Sequence, residues 1–483
     1  MRRSVRHDLD VFKIIKTWPG SLIAVVIALV AMTTASVAYL SHDRQVSKSA
    51  VALRRLTGAH ARMVWCRQVA GDGRDVGCTG SGLLLMGLDS DERNGERAIV
   101  RKVGNYHKPL LTPRGDRVVF SDLVTGKIRV VNWNGAALMD LAAGRAACVW
   151  RDPADGGEWV YALPPMSGPD ADEGTPLFRF RLDNPCVRED VWDKTPMVPD
   201  NIQLSRDGLC LGGLFPWPRA GLVVLAAGTL EEKGRGCWVS LAPDDSRLLW
   251  VFDGAHRNLV LHPADGTRNW AVCLSAAPGV DGWEAYHPRW ANQVRFFSMT
   301  GPYKGGEGAN RIGAGGAAVE VYAGRFAPDL RSVEDWLRVT ENKSPDFFPD
   351  LWLDPSGSVA GARLSSGAGS QGASFHDAIV VRARLLETTS TPTPASIAPY
   401  RQAMVVYVYK VETLEAGVYT HARLLVAHWG IVAGAVRDLG KRPGEIYTLR
   451  LETYAAHPEL EGERLIMDVK DMGLPLLYDT GGR

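Results

Sequence analysis

The chain has 483 residues, 46% hydrophobic and 23% charged, with a formal net charge of +1. That length exceeds one ordinary core and implies more than one domain. The near-neutral balance excludes a nucleic-acid binder, which carries a basic excess or a basic stripe.

Residues 1–20 form a leader with Arg2, Arg3, Arg6, Lys13 and Lys16 against Asp8 and Asp10. Residues 21–40 are then free of charge, and about 20 apolar residues suffice for one helix to cross a bilayer. The basic leader predicts an N-terminus inside and the remainder exported. The expectation is a single-pass inner-membrane protein with its bulk in the periplasm. Ser36-Val37-Ala38 offers small residues for a signal peptidase, so secretion after cleavage is the alternative. Residues 41–60 read as a stalk or short helix.

From about residue 61 a β-rich repeat begins. Residues 63–66, 83–88 and 98–100 are strands. Residues 109–135 read as strand, Pro-x-Gly-Asp turn, apolar strand, Thr-Gly turn, alternating strand and Asn-Gly corner. The punctuation returns at 148–163, 202–214, 238–252, 287–299 and 348–359. Within 236–266 it is clearest, with strands at 237–241, 247–252 and 258–262 parted by Pro-Asp-Asp and Asp-Gly turns. Short strands between Pro, Asp and Gly signal antiparallel hairpins in series. One such unit cannot bury both faces alone, and a spacing of roughly 40–60 residues fits four-stranded propeller blades. The prediction is an all-β propeller of about seven blades, or six if the first unit completes the last by ring closure, over residues 61–387. Most of the fifteen tryptophans, Trp133, Trp150, Trp159, Trp238, Trp250 and Trp290 among them, read as packing between sheets.

Two Gly-rich stretches, 301–316 and 364–374, interrupt the pattern, and 388–399 is a Thr/Pro linker expected to act as an extended spacer. Residues 400–483 form a small separate β-barrel or sandwich with strands at 404–411, 423–429, 445–451 and 464–467. The seven cysteines, Cys66, Cys78, Cys148, Cys186, Cys210, Cys237 and Cys273, include no Cys-x-x-Cys, which excludes zinc-ribbon and thioredoxin-like readings. Cys66 and Cys78 either clip one hairpin loop or remain free thiols.

The motifs of catalysis are missing: no Gly-x-Ser-x-Gly elbow, phosphate loop or His-Glu-x-x-His. The candidate ligand-binding residues come from two neighbouring blades. Asp253, His256, Arg257 and Asn258 occupy one turn. Asp281, Trp283, Glu284, His287 and Arg289 lead into the next blade, with Tyr303 and Lys304 beyond. Arg and Asn hold hydroxyl or carboxylate oxygens and Trp gives a stacking face, a set suited to glycans or peptide termini. The alternative role for the same residues is to satisfy backbone groups and lock blades together. A hydrolase pairing Asp253 with Asp281 or Glu284 is the enzymatic alternative. His428 and the acidic run around His457 invite a metal reading but fit a core strand and a solvated turn, so no metal and no cofactor is expected.

The blade pattern at 111–135, 204–214 and 241–266 resembles the TolB-type family of periplasmic WD40-like β-propellers. The stretch 213–303, with Phe215-Pro216-Trp217-Pro218 and His287-Pro288-Arg289-Trp290, is similar to bacterial envelope proteins of that type. The resemblance implies a propeller fold and an envelope compartment. The expected function is a binding or scaffold module for envelope proteins or glycans, with a glycan-acting hydrolase or lyase as the alternative.

Overall fold

The computed structural model describes residues 47–70, 82–166, 174–199, 201–303, 319–357, 378–398, 400–469 and 474–482. The leader, the expected span at 21–40, Cys78, Lys304 and both Gly-rich stretches, apart from 301–303, lie outside them. Among the described residues no helix is long and apolar enough to cross a membrane.

Six four-stranded antiparallel sheets form the propeller. Five run in chain order from the innermost strand outward; the blade Cys237–Leu241, Leu249–Phe252, Asn258–His262, Trp270–Cys273, the fifth when the blade that begins at Ala61 is counted first, is typical. The remaining blade closes the ring: Ala61–Gln68, Leu83–Asp89 and Arg97–Gly104 take their innermost strand, Asp346–Leu353, from the far end of the repeat. The expected seven blades are therefore six, because the units near residues 63 and 348 are two parts of one sheet. Radial closure leaves no long unpaired edge around the ring.

An amphipathic helix, Lys48–Thr57, lies at that closure. Ala50, Leu53 and Leu56 recur on one helical face and are buried against Met63, Trp65, Phe296 and Val321 of the two blades that meet there.

The C-terminal unit is a closed five-stranded barrel. Ile379–Glu387 pairs with Ala403–Ala416 and Ile446–Thr453, and Arg423–Val432 and Leu476–Asp479 complete the ring. Ile379–Glu387, expected in the propeller, belongs here because its alternating Ile379, Val381, Ala383 and Leu385 fill the barrel core. The expected Thr/Pro spacer is also packed. Thr393 caps a short 3-10 turn, Pro394–Ile397, and Ile397 is buried with Tyr400, Ala403 and Ile431.

The barrel sits on one face of the propeller. It meets the turns that join second and third strands: Leu465 N–H donates to the Gly254 carbonyl at 3.0 Å, and Tyr400 packs edge-on against Trp217 at 4.9 Å.

Candidate functional site

The innermost strands share a local device. Lys108, Asn201, Trp238, His287 and Phe348 have φ between 44° and 51°, and the sheet register slips at His107/Leu110, Cys237/Ser240 and Tyr286/Arg289. Non-glycine residues hold this left-handed conformation only where the surroundings enforce it. These bulges turn the side chains together at the propeller axis. The Lys108 ammonium lies over the Trp238 and Phe348 rings at 5.3 and 5.6 Å. The His287 ring is 4.9 Å from Trp238 and 4.1 Å from Phe348. Asn201 Nδ2 donates to the Pro288 carbonyl. Only about 20 Å³ of space remains among them, so the axis is plugged.

Beyond the plug the axis widens into a funnel of about 620 Å³ to which all six blades contribute. At its floor Arg289 Nε donates to Asp350 Oδ1 at 2.8 Å, while Asp350 Oδ2 accepts the Leu111 N–H. Trp150 and Trp352 form part of the wall, each donating its indole N–H to a carbonyl of the next blade, Ser205 and Pro113 respectively. Arg151 and Arg206 are exposed at the rim. The funnel turns join innermost to second strands, whereas the barrel contacts turns between second and third strands. Because successive strands are antiparallel, funnel and barrel occupy opposite faces.

The residues read from sequence as ligand-binding fall into several places. Asp253, Arg257 and Asn258 line a cleft of about 700 Å³ between the fifth blade and the barrel. Asp253 is engaged within its own turn: Oδ1 accepts the N–H groups of Arg257 and Asn258, and Oδ2 accepts Asn258 Nδ2 at 2.7 Å. Arg257, fully buried, donates Nε to the Gly282 carbonyl and Nη2 to the Met467 carbonyl at 2.6 Å, joining propeller to barrel. His287 and Tyr303 belong to the axial plug and its support, with both side chains against the Thr300 hydroxyl. Arg289 belongs to the funnel floor. Asp281 is exposed, and Trp283 packs partly against the main core.

His256 enters a buried charge cluster on the seam with the barrel. Glu284, fully buried, accepts from Arg464 Nη2 at 2.6 Å, and Arg464 also donates to the Gly254 carbonyl. Burial alone would raise the Glu284 carboxyl; Arg464 and then His256 override it and hold it down at about 2. His256 Nδ1 stands 3.6 Å from Glu284 Oε2, too far for a hydrogen bond. Burial, aided by Arg464, pulls its imidazole down to about 4, so it is neutral at physiological pH. The Tyr400 hydroxyl and the Cys237 thiol each lie 3.5 Å from His256 Nε2. Neither Asp253, engaged by its turn, nor Glu284, held by Arg464, is placed as half of a hydrolytic carboxylate pair.

The barrel histidines are likewise engaged. His428 lies between the Tyr409 hydroxyl at 2.9 Å and Asp479 at 3.0 Å. His457 is held by Glu452 and Glu459. Among the described residues only His60, Asp89 and Asp91 bring potential metal-binding atoms together. Asp89 is there bound by Arg62 and His60, and Asp91 by Arg54. Cys66 is a free buried thiol donating to the Tyr106 carbonyl.

No family model matches the chain. No curated protein matches it either. Its neighbours among solved structures include TolB proteins. The TolB crystal structure from Acinetobacter baumannii is 10% identical with a TM-score of 0.43, covering 63% of this chain and 70% of that one. A structure named as TolB from Agrobacterium tumefaciens is 9% identical, TM-score 0.36, over 62% of this chain and all (100%) of that one. A nidogen/laminin complex is also similar, at 11% identity and TM-score 0.32, over 43% of this chain and 91% of that one. Likeness at this level bears on neither ligand nor activity.

Sequence reasoning missed the barrel half of the seam, Arg464 and Tyr400, and the ring at Lys108, Asn201, Trp238 and Phe348. One signal was present: Lys108-Pro109, His287-Pro288 and Phe348-Pro349 recur at one position of the blade.

Proposed function

We propose that this protein is an envelope binding module, anchored through residues 21–40, that takes an acidic segment of a partner protein into its axial funnel. The observation that carries the reading is the funnel itself. It is closed at its floor and open on the face away from the barrel, and its lining holds Arg151, Arg206, Trp150 and Trp352 beside Asp244 and Asp350, with Arg206 paired to Asp245 and Arg289 to Asp350. Guanidinium groups at a rim steer and clamp carboxylates, while indole walls favour apolar or aromatic side chains between them. The basic leader and the uncharged stretch after it support periplasmic placement, with a partner among envelope proteins.

The test measures binding of the full-length protein to short peptides of matched length, acidic or basic, each with one aromatic residue. Acidic peptides are expected to bind at least about tenfold more tightly, and raising salt should erode that margin. Arg151→Glu combined with Arg206→Glu should abolish the preference. Equal binding of both peptide classes, or indifference to the double substitution, defeats the proposal. Saturable binding of an envelope glycan without any acidic peptide binding favours the glycan reading instead.

A further inference from the structure

We propose that the cleft between the fifth blade and the barrel is a second binding site, for a small amphipathic amine whose head group pairs with Glu461. The cleft is separate from the funnel and holds about 700 Å³. That is within the roughly 300–1,000 Å³ of small-molecule sites, which favour junctions between domains. Its walls are mainly apolar, with Val251, Val260 and Trp270 from the blade facing Leu425, Leu465 and Met467 from the barrel.

Several polar groups in these walls are already satisfied, while Arg235 and Arg268 line the cleft as exposed cations and the buried His262 Nε2 has no hydrogen-bond partner among the described residues. Asp253 caps its turn, and Arg257 serves two carbonyls. The Trp270 N–H donates to the Leu330 carbonyl, the Tyr454 hydroxyl to the Leu460 carbonyl, and His457 lies between two glutamates. Glu461 differs. It lines the cleft half-buried, and among the described residues no hydrogen bond or cation meets its carboxylate. Burial raises that carboxyl, so the charged form lacks compensation. A carboxylate at the edge of an apolar cleft is compensated by a cation that brings its own hydrogen-bond donors. The Tyr454 and Trp270 rings line the same space; aromatic rings attract an ammonium, and Trp270 already carries the Arg331 guanidinium over its ring at 4.9 Å. An apolar body against the aliphatic wall and an amine at Glu461 match both halves of the cleft.

The experiment titrates the full chain with dansylcadaverine, an apolar fluorophore bearing a primary amine, and with dansylamide, which lacks it. Saturable binding of dansylcadaverine, about tenfold tighter than of dansylamide, is expected. Glu461→Gln should remove that margin. Ala271→Trp, a substitution at an exposed position lining the cleft, should fill the space and weaken both probes, with unchanged thermal unfolding showing that the fold is kept. Acidic peptide binding at the funnel should be untouched by either variant. Absence of saturable binding, equal affinity for the two probes, or indifference to both substitutions overturns the proposal.

Discussion

The pair Glu284–Arg464 shows how far one residue's role can depend on a partner 180 positions away. Both side chains are wholly buried, and charges in that setting persist only while each compensates the other. Glu284→Gln leaves the Arg464 guanidinium buried without its counter-charge and should cost about 3–5 kcal/mol, read as a fall in the denaturant midpoint. Pairing it with Arg464→Met should restore much of that loss. His256 adds a pH dependence. Unfolded, its imidazole takes a proton near the ordinary 6.5; folded, it resists until about 4. His262, buried beside Lys233, behaves alike. The unfolded state therefore binds more protons between those values, and stability falls as pH drops through the window. Thermal unfolding followed from pH 6.5 down to 4 should show a steady loss, shallower in His262→Asn. A midpoint that does not move there contradicts the neutral buried imidazoles.

At the scale of elements, the innermost strands and the helix Lys48–Thr57 do the positioning. The strand bulges aim Lys108, Trp238, His287 and Phe348 at the axis. The turns beyond them pack tightly: Gly208 has φ +72°, and a Cβ there would stand 2.4 Å from Trp150. That glycine was legible only as a turn residue, because its second role, making room for an indole of the neighbouring blade, depends on tertiary contact. The helix has a different task. Its Leu53 is fully buried between the blades that close the ring, so Leu53→Ala opens a cavity at the closure. A loss of about 2–5 kcal/mol is expected, measured by chemical denaturation. A loss well under 1 kcal/mol would mean that the ring closes without the helix.

Across the whole molecule, ring closure and barrel docking together decide which surfaces remain open. The barrel covers the turns around Gly254–Arg257, and with them His256 and Glu284 among the residues that looked like a ligand site from sequence. The free axial mouth is left on the opposite face, and it is there that the proposed salt-sensitive preference for acidic peptides is to be tested. Asp253 and Arg257 fit the roles of turn cap and domain latch, the alternative that sequence reading had set beside ligand contact.

Much of the architecture was legible because turn chemistry and strand alternation are local. Pro-Asp, Asn-Gly and Asp-Gly corners marked the hairpins, and their recurrence marked a propeller. Local signals do not state which sheet a strand joins. Asp346–Leu353 reads like the start of another blade, and Ile379–Glu387 like the end of the propeller. Only pairing with strands far away in the chain makes the first a ring closure and the second a barrel wall. The same limit governs the sites: residue types are written in order, but whether a carboxylate meets water, a ligand or a buried arginine depends on burial and on partners supplied by the tertiary fold.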